Sequence, residues 1–252
     1  MILTRIVNAN NWLIYRAAVK MASILPMRGH RLGDCKIIFV AGIEGSGTGL
    51  VKRLLCAPDD VLDTDHQIYS DRERPNVTRL EFLQRISICW QVADILHRLW
   101  ETDNGANEVE QSRLRTMLAN TRVPKSIQSL VIKRSYPSGR AGSIVPRLSD
   151  LTEIASNVKI VNVNRPMSER NESILRRRFV PNQVDAVKRN ARAEVILEKQ
   201  LAGVRKEDIY SCEYHDLLGR PNLICREMEE FLGFEYGSLS KYESLVVPPR
   251  RS

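Results

Sequence analysis

The stretch "KIIFVAGIEGSGTGLVKRLL", residues 36 to 55, constrains the fold of this chain more than any other. A short apolar run ends at Gly42, three glycines follow at 45, 47 and 49, and Leu50, Val51, Leu54 and Leu55 then recur at helical spacing up to Pro58. A buried strand feeding a helix through a glycine-rich turn is the unit from which parallel sheets are built. Later segments repeat the alternation. "DDVLDTDHQ" predicts a short second or edge strand, "SLVIKRSYP" and "VKIVNVNR" predict buried strands, and "DIYSCEY" predicts the last one. Helices are expected over residues 78 to 122 with a break at "TDNGAN", over "PRLSDLTEIAS", over a long basic stretch from about 168 to 203, and over "NLICREMEEFLGF", closed by Gly233. The expected architecture is one α/β domain over residues 34 to 252: a three-layer sandwich with a central parallel sheet and a helical insertion near 78 to 125.

The net charge of +8 favours anionic partners, whether nucleotides, nucleic acid, sulfated or phosphorylated substrates or a membrane surface. Five scattered cysteines, with no CxxC pair, suggest neither a disulfide framework nor a zinc site. They read as buried thiols in a reducing, cytoplasmic compartment, and no metal is expected. Residues 1 to 33 form a separate basic segment. It carries Arg5, Arg16, Lys20, Arg28 and Arg31 without an acid, and its apolar residues recur at helical spacing. The segment is expected to pack on the domain or to lie on a membrane surface.

Glycines in a strand-to-helix turn let the backbone approach an anion and aim several N–H groups at it, and the helix N-terminus adds partial positive charge. Ser46 and Thr48 add hydroxyls. A Walker loop would place Lys at position 48 and a magnesium-binding Ser or Thr at 49. Thr48 and Gly49 stand there instead, which disfavours an ATPase.

A second constellation lies in "VNVNRPMSERNESILRRRF". Arg165 ends a buried strand, Ser173 follows eight residues later, and Arg177 lies one helical turn beyond Ser173. Two guanidinium groups and a hydroxyl in this arrangement can converge on one phosphate.

At this point the sequence resembles the sulfotransferase superfamily, and its tyrosylprotein-sulfotransferase-like branch most closely. In that family an SGTTxL loop cradles the 5′-phosphosulfate of 3′-phosphoadenosine 5′-phosphosulfate. A strand-end Arg and a Ser eight residues on hold the 3′-phosphate. "GSGTGL" and the Arg165–Ser173 pair match these motifs. "CEYHDLLGRP" with "MEEFLGF" is similar to the YEDL–P–FLG segment, with Tyr214 and Asp216 in the motif, and "SLSKYESLVVPPR" is similar to a late loop that closes over the donor. The resemblance spans roughly residues 36 to 250. Two departures stand out: Gly45 replaces the cation that many members carry before the loop Ser, and Glu44 places an acid beside an anion site. Lys133, Arg134 or Lys241 would supply the missing charge.

The resemblance implies sulfuryl transfer to an acceptor hydroxyl, with adenosine 3′,5′-bisphosphate as the by-product. Gly45, Ser46, Gly47, Thr48, Gly49, Arg165, Ser173, Arg177 and Lys241 would hold the donor. The base falls at Asp65 or His66, counted from Ser46, with Lys133 beside it. Carbohydrate, peptide, lipid and small alcohol are all compatible acceptors, and no nucleic-acid partner is expected. A kinase-like phosphotransferase and a donor-binding relative without catalysis are the alternative readings.

Overall fold

The computed structural model describes residues 17, 20–21, 29–64, 78–101, 108–136 and 145–246. In chain order the strands are β1 (Gly29–Arg31), β2 (Lys36–Gly42), β3 (Val61–Asp63), β4 (Arg122–Pro124), β5 (Ser129–Lys133), β6 (Val158–Asn164) and β7 (Ile209–Glu213). The α-helices are α1 (Thr48–Leu55), α2 (Arg79–Glu101), α3 (Glu108–Asn120), α4 (Leu148–Ile154), α5 (Met167–Arg176), α6 (Gln183–Ala202), α7 (Tyr214–Gly219) and α8 (Pro221–Leu232).

Five strands form one sheet in the order β3-β5-β2-β6-β7, and every neighbouring pair is parallel. A parallel sheet needs cover on both faces, so its strands carry apolar residues on both. Strand β2 shows how the sequence meets that need. Ile37, Phe39 and Ala41 point into one core, with residues of α2, α3, α4 and α6. Ile38 and Val40 point into the other, with residues of α1, α7 and α8. The period-two alternation of a strand thus divides one apolar run between two layers of helices. This is the expected three-layer α/β sandwich, with α2 and α3 as the helical insertion between β3 and β4.

Two features depart from the sequence expectations. The long basic helix expected over 168 to 203 is two helices, α5 and α6. Arg178 breaks them apart by adopting a left-handed backbone (φ 58°), with Pro181 shortly before the Asn182 cap of α6. The chain also carries an antiparallel two-stranded ribbon of β1 on β4 that no local pattern announces. Through this ribbon Gly29–Arg31, which fall within the N-terminal segment, pair with the domain, and Leu32 is fully buried. Most of that segment lies outside the described residues.

All five cysteines are buried, and none forms a disulfide. Burial pushes the Cys35 and Cys212 thiols up to about 12 and Cys225 up to about 11, so these sulfurs stay protonated and unreactive. Among the described residues, no helix is long and apolar enough to cross a membrane.

Candidate nucleotide-binding site

The carboxyl ends of the parallel strands are where an open α/β sheet binds its ligands, because the strand-to-helix loops gather there. In this chain four strand ends contribute. Strand β2 leads into the glycine loop and α1, β5 ends at Lys133, β6 leads into Arg165, and β7 leads into Tyr214. Together they line a cavity of about 810 Å³.

The loop is held open by its own geometry. Ser46 N–H bonds the Ile43 carbonyl at 2.9 Å, and Glu44 N–H bonds the Tyr136 carbonyl at 3.0 Å. Gly45 and Gly47 have φ of 93° and 98°, a left-handed backbone that residues with a Cβ disfavour. Gly47 is also crowded, since a Cβ there would meet ring carbons of Tyr214 at 2.4 and 2.6 Å. The loop delivers the backbone to the N-terminus of α1, where Thr48 and Gly49 open the first turn. Thr48 Oγ1 lies 3.2 Å from the Ser135 hydroxyl, which ties the loop to the end of β5.

Arg165 stands directly beside the loop, at the end of the neighbouring strand β6. Its Nη1 donates to the Gly45 carbonyl at 3.1 Å and its Nε to Glu169 at 2.9 Å. The guanidinium sits 4.4 Å from the Tyr214 ring centre, a cation–π stack. Behind it, His215 Nε2 lies 2.7 Å from the second oxygen of Glu169. Hydrogen bonds from Arg165 and then His215 hold the Glu169 carboxyl below its ordinary range. Within these contacts Arg165 is fixed from three directions, with the rest of its planar fork left for a ligand.

The structure brings together Gly45, Gly47, Thr48, Gly49, Lys133, Arg165 and Arg177, all of which line the cavity. Ser46 and Ser173 sit just behind it. The Ser46 hydroxyl is turned under the loop, 2.6 Å from where a Cβ on Gly42 would stand, and Ser173 Cβ is 3.3 Å from the corresponding point on Gly45. Both hydroxyls are buried without a hydrogen-bond partner among the described residues. Lys241 is not at this site. It lines a separate cleft of about 580 Å³ together with Lys36, Ser129 and Asn157, at the amino ends of the strands. The short 3-10 turn Ser240–Leu245 runs between the two ends, so its far side, Ser244 to Val246, reaches the cavity instead. Asp65 and His66 lie outside the described residues.

Several contributors escape a motif-based reading. Lys52 lines the cavity and forms a buried ion pair with Asp63 at 2.9 Å, both side chains at most 5% exposed. Its spacing of four residues from Thr48, one helical turn, is the signal that places it on the loop's face. Tyr214 falls in a matched segment but outside the set expected to hold the donor, yet it lines the cavity and carries the stack with Arg165. Phe179, 46% exposed beside Arg177, becomes visible only once the helix break at Arg178 is known. Glu44, the acid beside the anion loop, is paired to Arg189 of α6 at 2.6 Å.

No family model matches the sequence, and no curated protein does. Solved structures do. Sulfotransferase STF9 from Mycobacterium avium aligns over 92% of this chain and 71% of its own, at 11% identity and a TM-score of 0.52. The sulfotransferase domain of the Synechococcus PCC 7002 olefin synthase aligns over 88% and 79%, at 16% identity and a TM-score of 0.49. Retinol dehydratase in complex with androsterone and the inactive cofactor PAP aligns over 92% and 69%, at 16% identity and a TM-score of 0.43. With its five-stranded parallel sheet, its glycine loop after β2 and the likeness to the first of these, the chain has the sulfotransferase fold.

Proposed function

We propose that this protein transfers a sulfuryl group from 3′-phosphoadenosine 5′-phosphosulfate to an acceptor hydroxyl. The observation that carries the reading is the convergence of the Gly45–Gly49 loop, Lys133, Arg165 and Arg177 on one cavity. Anion donors reach it both from the loop and from the segment that follows β6, which suits a ligand with more than one anionic group.

In this reading, backbone N–H groups of the loop, Thr48 and the N-terminus of α1 bind the phosphosulfate. Arg165 and Arg177 bind the 3′-phosphate, with the buried Ser173 hydroxyl behind them. The donor supplies an activated sulfur. In the reaction the bond from that sulfur to the bridging phosphate oxygen breaks, and a new bond forms to the acceptor oxygen. Asp65 or His66 takes the acceptor's proton, and adenosine 3′,5′-bisphosphate leaves. Lys133 and the loop N–H groups steady the charge that develops on the departing phosphate. Lys52, held by Asp63 and facing the same cavity, adds a cation on the α1 side. Carbohydrate, peptide, lipid and small alcohol are all open as acceptors.

Incubation of the purified protein with sulfur-labelled donor and a fractionated cell extract tests the proposal. A labelled product, identified by mass spectrometry and absent when Arg165 is replaced by Ala, is the expected result. Binding of the donor without any labelled product would instead favour a donor-binding protein that does not catalyse transfer.

A further inference from the structure

The anion loop carries its own antagonist. Glu44 lies directly before Gly45 and lines the same cavity, where a carboxylate opposes any phosphate or sulfate by like-charge repulsion. The structure answers that charge from a different layer. Arg189, in the second turn of α6 and 145 residues away in sequence, donates from Nη2 to Glu44 Oε2 at 2.6 Å. The two side chains are 19% and 21% exposed, so the pair is shielded from full solvent screening. Other cations of this region have different engagements. Arg165 is committed to Gly45 and Glu169, and Arg170 to Glu194.

We propose that Arg189 is a positioning residue for the anion site: by neutralising Glu44 and holding its carboxylate toward α6, it lets a loop with glycine in place of a cation, and an acid next to it, accept a phosphorylated ligand. This deepens the nucleotide reading and requires it. A protein whose loop carried a cation at position 45 would have no need of such a partner. Here Gly45 supplies none, so an uncovered Glu44 weakens the positive field that the surrounding cations set up at the loop. Two roles are separable for Arg189. One is electrostatic, cancelling the Glu44 charge. The other is mechanical, tying the loop to α6. Removal of Glu44's charge repairs the first and leaves the second broken.

Isothermal calorimetry with adenosine 3′,5′-bisphosphate on the full chain distinguishes them. Arg189→Met is expected to weaken binding by about tenfold or more, because an uncovered carboxylate then faces the ligand's phosphate. Glu44→Gln is expected to bind as the native protein does, or more tightly. The double variant Glu44→Gln/Arg189→Met is expected to return to within about threefold of native affinity. It leaves no buried charge unpaired, so it also controls for loss of folding in the single variant, which thermal denaturation reports. Native affinity in Arg189→Met would overturn the assignment, as would a double variant as weak as that single variant, since either result leaves Arg189 at most a mechanical tie. Both results would leave the nucleotide reading standing. Failure of the native protein to bind the bisphosphate would overturn the two together.

Discussion

Gly47→Ala tests whether the loop geometry is what organises the site. Two costs follow from the structure. The new Cβ forces an alanine into φ 98°, a left-handed conformation that costs about 1–2 kcal/mol. It also enters the Tyr214 ring, whose Cδ2 and Cε2 atoms lie 2.4 and 2.6 Å from its position. Overpacking of this kind costs about 1–3 kcal/mol, so the total is roughly 2–5 kcal/mol. The ring cannot move without disturbing Arg165, which stacks on it at 4.4 Å, so affinity for adenosine 3′,5′-bisphosphate should fall together with stability. The two costs separate in a cycle with Tyr214→Ala. Removing the ring relieves the overpacking and leaves the backbone cost, so Gly47→Ala should cost only about 1–2 kcal/mol in that background. Urea denaturation of the four proteins gives the coupling directly. Additive effects of the two substitutions would refute the clash, and with it the claim that Tyr214 and the loop form one packed unit.

Other variants probe the remaining walls. Arg165→Ala should weaken binding of the bisphosphate roughly ten- to hundredfold, the worth of a charge-assisted contact, and barely change binding of an analogue without the 3′-phosphate. Equal losses for both ligands in calorimetry would assign Arg165 to another task. Asp63→Asn leaves the buried Lys52 ammonium without its counter-charge and should cost about 3–5 kcal/mol in chemical denaturation; a cost below about 1 kcal/mol would mean that the pair is not buried as described. Glu229 accepts backbone N–H bonds from Gly237, Leu239 and Ser240 at 2.9, 2.6 and 3.0 Å, and so anchors the turn that carries Leu245 and Val246 to the cavity. Desolvation by burial pushes its carboxyl up, but these N–H groups outweigh it and hold the carboxyl below its ordinary range. A lowered folded pKa contributes stability that is present above the unfolded value and lost as pH falls through the folded one. Glu229→Gln should therefore cost about 1–3 kcal/mol near neutral pH and flatten the loss of melting temperature in the acid range, whereas an acid limb as steep as the native one would contradict this.

What the sequence revealed was local. The β2–loop–α1 unit is legible because an apolar run, three glycines and a helical stripe fall within twenty residues, and each pattern has one physical meaning. Arg165 and Arg177 reach the cavity from the segment the sequence singled out, whereas Ser173, between them, is buried behind it. Features resting on distant pairing were not legible. Strands β1 and β4 are three residues each, and only their partnership across Gly29 and Pro124 makes them a ribbon. The break between α5 and α6 sits at Arg178, where an arginine takes the conformation normally left to glycine, so the sequence shows one continuous basic helix. Lys241 was expected at the donor because a late loop in the family reaches there. In this chain the turn presents its other side, and Lys241 faces the amino ends of the strands. The partners of Lys52 and Glu44 come from β3 and α6, and no spacing along the chain predicts either pairing.

In the proposed function a loop without the Walker lysine holds a phosphosulfate while Arg165 and Arg177 beside it hold a separate phosphate. Walker loops neutralise a triphosphate with that lysine and a magnesium-bound hydroxyl, and Thr48 and Gly49 supply neither. Calorimetry of the native protein in magnesium-free buffer, with adenosine 3′,5′-bisphosphate and ATP titrated separately, puts the claim to its most direct test. Tight, saturable binding of the bisphosphate and little binding of ATP are expected. ATP binding that appears on adding magnesium, with no response to the bisphosphate, would contradict it.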